Sequence, residues 1–193
     1  MTKNATTALG CHRVRAFGAL FIALTLPLLA AAGRSNALAN ATQVLERLPS
    51  SWRADHGGTL HFSALQGQRI FITMAYTTCH QICPMTMTRL TAIQHELDTR
   101  GVSAEFLIVS YNPSNDDPAA WRRYRSSRGL VRANWHFLSG TARDTEQLAR
   151  LLGFDYWRDG DHVMHDYRIV ALGGDGGWRG AIDSAHPDWR VLL

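Results

Sequence analysis

The near-continuous apolar run Ile70-Phe-Ile-Thr-Met-Ala-Tyr76 leads into two cysteines, Cys79 and Cys83, and a proline, Pro84, that opens a helix-like stretch. A run rich in branched and aromatic residues reads as a strand buried on both faces, in a sheet covered by helices. Pro84 in a first helical turn puts Cys83 at or beside the helix N-cap and Cys79 in the loop before it. Free N–H groups and the positive end of the helix dipole point there, and both favour thiolate over thiol. Two reactive sulfurs at a strand-to-helix junction can close a disulfide or hold a soft metal ion. A purely structural disulfide is the weaker use, because closing so short a loop removes little chain entropy.

Further along, strands and helices alternate. Pro84 to Arg100 carries Met87, Leu90, Ile93 and Leu97 at helical spacing and is stopped by Gly101. Ala104 to Tyr111 is a second buried strand. Asp117-Pro118 is a cap-and-first-turn signal for a helix ending near Gly129. Asn134 to Leu138 reads as a strand, Thr141 to Leu152 as a helix stopped by Gly153, and Tyr167 to Leu172 and Trp178 to Ile182 as strands. Gly173-Gly174-Asp175-Gly176 between the last two is a hairpin turn. Short strands are expected from Trp52 to Gln68, and Pro187 to Leu193 can begin a helix but not finish a long one. The pattern predicts an α/β fold, a three-layer sandwich with a mostly parallel central sheet and a C-terminal antiparallel hairpin. With cysteines after the first central strand, this is a thioredoxin-like arrangement.

Residues 1–39 hold Lys3, Arg13, Arg15 and Arg34, no acidic residue, an apolar run from Ala16 to Ala32 and a small-x-small site at Ala37-Leu38-Ala39. This three-part pattern predicts a secretory signal peptide, with an uncleaved membrane anchor as the alternative. Cys11 falls within it. Residues 40–193 are then one exported domain, periplasmic in location and touching a membrane only through the N-terminal segment. The whole chain has 20 basic and 16 acidic residues, and the leader removes only basic ones. The remainder is balanced, which argues against a nucleic-acid footprint. One cysteine pair is too few for a disulfide scaffold.

Two thiolates leave a copper ion short of ligands, and histidines are the available third donors. Of the eight histidines after the leader, His165 stands out because it immediately precedes the fourth predicted strand. His162 is the second candidate, and His61 and His95 sit unfavourably within predicted elements. His80, Met85 and Met87 cluster near the cysteines as auxiliary soft donors, although Met87 lies on an apolar helical stripe.

The segment Met74-Ala-Tyr-Thr-Thr-Cys79-His-Gln-Ile-Cys83-Pro84 resembles the copper motif of the Sco/SenC family, Tyr-Thr-x-Cys-x-x-x-Cys-Pro. Val109-Ser-Tyr-Asn-Pro113 with Asp117-Pro118, Trp135-His-Phe-Leu-Ser-Gly140, Leu151-Leu-Gly-Phe-Asp-Tyr156, and His165 with Ile169-Val-Ala-Leu and Asp175-Gly176 resemble further family segments in order and spacing. The resemblance implies a thioredoxin-like fold and one copper ion, Cu(I) or Cu(II), bound by Cys79, Cys83 and His165. It implies a metallochaperone that delivers copper to, or matures the copper site of, cytochrome c oxidase or another exported copper enzyme. A copper-acceptor protein such as an oxidase subunit and a thiol-disulfide reductase are the implied partners. The chain departs from the family at His80 (often Pro), Asn112 (usually acidic) and Met164 (commonly Asp before the histidine), and its C-terminal helix looks truncated. The competing function is a thiol-disulfide oxidoreductase using Cys79 and Cys83 as a redox-active pair. A thiol peroxidase or redox-sensing module on the same fold is the third reading.

Overall fold

The computed structural model describes residues 44–49, 51–160 and 162–193. The expected leader and Cys11 lie outside the described residues. In chain order the elements are α1 (Val44–Arg47), β1 (Ser51–Ala54), β2 (Thr59–His61), a 3-10 turn (Phe62–Leu65), β3 (Ile70–Ala75), α2 (Ile82–Thr99) and β4 (Glu105–Ser110). There follow α3 (Pro118–Ser127), β5 (Trp135–Ser139), α4 (Ala142–Leu152), β6 (Tyr156–Asp159), β7 (His162–His165), β8 (Arg168–Leu172), β9 (Trp178–Asp183) and a 3-10 turn (Trp189–Leu192).

Seven strands form one sheet in the order β2-β1-β5-β4-β3-β8-β9. The expected parallel centre is β3, β4 and β5, each joined to the next by a helical crossover. Pairing outside that centre is antiparallel, including the expected β8–β9 hairpin. All six residues of β3 are buried, so both faces of the sheet are covered there. Gln94 of α2 accepts a hydrogen bond from the Trp135 indole, and the Trp121 ring of α3 packs on Phe137. Trp135 and Phe137 are two apart on β5, so α2 and α3 cover the same face.

Local chemistry sets the helix ends. Asp117 caps α3 by accepting from the Ala120 N–H at 2.6 Å, with Pro118 opening the helix. Thr141 and Asp144 form a reciprocal capping box on α4, and Gly153 ends it in the left-handed region. Leu90, Ile93 and Leu97 of α2 are at most 1 % exposed. Burying such a side chain is worth about 1.5–3 kcal/mol.

Two features escape the sequence reading. Helix α2 begins at Ile82, so Cys83 sits inside its first turn rather than at the cap, and Pro84 is the third helical residue. Tyr156–Asp159 and His162–His165 pair as a second hairpin, β6–β7, outside the main sheet. Three of the four β6 residues are exposed, so no continuous apolar run announces it. Asp159-Gly160 is a turn signal that reveals it in retrospect, and Gly160 takes a φ of +58°.

Candidate metal centre

Strand directions decide what lies near the cysteines. β3 and β4 are parallel and end together, Ala75 opposite Ser110. The loops carrying Cys79 and Asp116 therefore leave the sheet at the same edge. β8 is antiparallel to β3, with Ile169 opposite Thr73, and the Thr73 hydroxyl donates to the Arg168 carbonyl at 2.7 Å. The start of β8, not its end, thus lies at that edge. A parallel β8 would carry the preceding residues to the far side of the sheet. The antiparallel pairing brings His165 to Cys79.

Cys79, Cys83 and His165 are all buried, and their donor atoms lie within 4.8 Å of one another. The Nε2 atom of His165 is 3.6 Å from the Cys79 sulfur and 3.7 Å from the Cys83 sulfur. Both cysteines are free thiols. His165 is held edge-on to Tyr76 and tilted against Tyr111, with ring centroids 5.7 and 4.6 Å away. Its Nδ1 lies 2.9 Å from the Asp166 carbonyl oxygen. A carbonyl only accepts, so Nδ1 carries the proton and Nε2 turns its lone pair toward the sulfurs.

The alternation of β7 separates the two histidine candidates. Val163 and His165 point inward, and His162 and Met164 point outward. His162 and His80 are exposed on a cleft of about 350 Å³ that also touches Cys79 and His165. Met85 is exposed, whereas Met87 is core, as its place on the helical stripe predicts. His61, His95 and His186 are exposed elsewhere, and His136 pairs with Glu105 at 2.7 Å.

The Cys83 N–H, free in the first turn of α2, donates to the Cys79 sulfur at 3.4 Å. The N-cap residue, Gln81, offers no side-chain bond, so the sulfur occupies the capping role. A hydrogen bond from the Cys83 thiol, chiefly, holds the Cys79 thiol well below its ordinary range, against the opposing effect of burial. The Cys83 thiol is pushed up by that same bond, by burial and by the charge on Cys79. Both shifts favour a proton on Cys83 that is donated to Cys79, the sulfur better placed to carry negative charge. A cation that replaces this proton would be held by both sulfurs and the imidazole. Two sulfurs and one nitrogen in a buried site suit a soft ion such as Cu(I).

Motif reading does not single out Asp116, the main support of the cysteine loop. Asp116 is 1 % exposed and accepts from the Thr77 N–H (3.0 Å), the Thr77 hydroxyl (2.6 Å) and the Ser110 hydroxyl (2.6 Å). It ties the loop before Cys79 to the end of β4. Burial raises its carboxyl above the usual range. Asn112, where the family usually has an acid, accepts from Arg158 of the β6–β7 hairpin at 2.9 Å. That bond fastens the hairpin bearing His165 to the loop after β4.

Comparison with known proteins agrees with this architecture. A Stutzerimonas stutzeri protein named "Putative copper-binding protein" is 28% identical over 125 residues, which cover 61% of this chain. The chain spans 59% of the length of that curated relative. The structure of Arabidopsis thaliana ScoI with copper bound superposes with a TM-score of 0.63 at 19% identity, over 72% of this chain and 88% of that one. BsSco, described as having a disulfide switch and as a member of the Sco family of cytochrome c oxidase assembly proteins, gives 0.63 at 23% identity, over 71% and 82%. These likenesses show a shared fold. The SCO1/SenC family profile matches residues 48–192, three quarters of the sequence, and the chain belongs to that family.

Proposed function

We propose that this protein binds one copper ion through Cys79, Cys83 and His165 and delivers it to an exported copper enzyme. The observation that carries this reading is the convergence of two sulfurs and one imidazole nitrogen, from distant parts of the chain, within 4.8 Å. Cu(I) replaces the proton held between the two sulfurs, and the same three donors tolerate Cu(II). An acceptor takes the ion by substituting its own ligands one at a time at the open side of the cleft. The relatives' names support a cytochrome c oxidase subunit as the acceptor. The N-terminal composition supports export, with residues 1–39 as signal or anchor and residues 40–193 as the working domain in the periplasm. Among the described residues no helix is long and apolar enough to cross a membrane.

Anaerobic titration of reduced protein with copper tests the reading. One tightly bound ion per chain is expected, and its loss in the Cys79→Ser/Cys83→Ser variant. An unchanged affinity in that variant would refute it.

A second reading has its own support in the low-lying Cys79 thiol. Its thiolate can attack a disulfide on a partner, Cys83 can then resolve the mixed disulfide, and the pair leaves oxidised by two electrons while the partner is reduced. His165 is not needed for that exchange.

A further inference from the structure

The cleft leading to the cysteines carries a second set of soft donors that the metal centre does not use. On β7 the residues alternate, so His162 and Met164 stand on the outer face while His165 stands on the inner one. His80, beside Cys79, lines the same cleft, as do His162 and Met164. All three are exposed, Met164 by 42 %. Among the described residues neither imidazole takes part in a hydrogen bond, and Met164 is not part of the buried core. Met164 stands on the outward face of a short hairpin, away from the buried core. Its cross-strand partner is Trp157, itself 60 % exposed.

We propose that His162, Met164 and His80 form a transit site for Cu(I) at the mouth of the cleft, one step outside Cys79, Cys83 and His165. The inference rests on the copper reading above. Imidazole and thioether are neutral donors that suit Cu(I) but hold it less strongly than thiolates do. Two such sites in sequence give a gradient of affinity along which the ion moves inward. The transfer is ligand exchange without electron transfer. The copper bonds to Met164, His162 and His80 break as bonds to the Cys79 and Cys83 sulfurs and to His165 Nε2 form, and the proton held between the two sulfurs goes to water. His165 and the outer pair ride on one hairpin, so the inner and outer donors keep a fixed spacing during the hand-over.

The test is Cu(I) titration of the reduced full-length chain against the chelator bicinchoninate, with Cys11→Ser in every sample to remove the leader thiol. The expected result is two Cu(I) per chain, the second weaker than the first by about 100-fold or more. His162→Ala/Met164→Leu should lose the weak step and keep the tight one. Cys79→Ser/Cys83→Ser should lose the tight step and keep the weak one. The transit site is overturned if the cysteine-less variant binds no Cu(I), or if the His162/Met164 variant still binds two. Absence of a tight step in the unmodified site would instead end the copper reading, which separates the two failures. A measurement on the chain with His162 and Met164 intact guards against misfolded variants. Ag(I) titration followed by NMR should shift the Met164 methyl resonance, and an unmoved methyl at two equivalents of Ag(I) would overturn the proposal.

Discussion

The Nε2 atom of His165 lies 3.6 Å from the sulfur of Cys79, although 86 positions separate the two residues in sequence. The contact depends on β8 entering the sheet antiparallel beside β3 and on a hairpin that turns its inner face to the cysteines. Each of these supports can be tested.

His165→Ala should weaken Cu(II) binding by at least about 100-fold, since removing a ligand exceeds the roughly 10- to 100-fold cost of disturbing a ligand's own support. Both thiols should remain reactive. Absorption-monitored copper titration, with thiol counting on the same sample, measures the two effects separately. His162→Ala should leave the tight step in place, because that ring is exposed on the opposite face of β7.

In the reduced, metal-free protein, alkylation should be selective for Cys79 over Cys83 and should not rise steeply with pH between about 5 and 8. An ordinary thiol, with a pKa of about 8.5, gains roughly tenfold in thiolate for each pH unit in that range. The Cys79 thiol lies below its ordinary range, mainly because Cys83 donates to it. Cys83→Ala removes that donor, so the steep pH dependence should return. Iodoacetamide labelling with peptide mass mapping reads both outcomes. By linkage, a thiol depressed in the folded state stabilises the fold above its unfolded pKa, and this contribution fades as pH falls toward the folded value.

Asp116 anchors the cysteine loop from beneath, so Asp116→Ala should be costly. It leaves the part-buried Thr77 donors and the buried Ser110 hydroxyl without an acceptor, at up to about 1–3 kcal/mol for each unsatisfied buried group. Asp116→Asn keeps an acceptor and should cost less. Burial raises the Asp116 carboxyl, so the folded state holds this proton to higher pH than the unfolded chain does. Its contribution to stability is therefore greatest at low pH and declines as pH rises through the raised value. The stability gap between the native chain and Asp116→Asn should narrow in favour of the variant from about pH 4 upward. Urea melts at several pH values check the direction.

Arg158→Ala should loosen the β6–β7 hairpin without unfolding the sheet. Its guanidinium bond to Asn112 at 2.9 Å is a tertiary tie of this hairpin to the loop after β4. A charged-to-neutral hydrogen bond is worth about 1.5–3 kcal/mol at most, less where one partner is solvated. Copper affinity should fall about tenfold, in the manner of a lost support to a metal-ligating histidine. Amide exchange in residues 162–165 should quicken, while exchange in β3 should not change.

The sequence by itself determined the chemistry and the elements that carry it. The continuous apolar run of β3, the stripe of α2, the Asp117 and Thr141 caps and the glycine stop at Gly153 are local signals, and each acts where it is written. The cysteine pair is equally local; His165 as favoured third donor rests on its place just before a strand and on the resemblance to a known motif, and the fold groups it with both sulfurs. Tertiary structure decided the rest. The β6–β7 hairpin is half solvated and short, so no buried run marks it. The antiparallel placement of β8 is a choice of sheet partner, fixed by how its flanking connections and the hydrophobic faces pack together. That choice sets which end of the strand meets the cysteines, and strand alternation then turns residue 165 inward and residue 162 out. Period and propensity describe a segment's own conformation; they hold no record of the edge at which it docks.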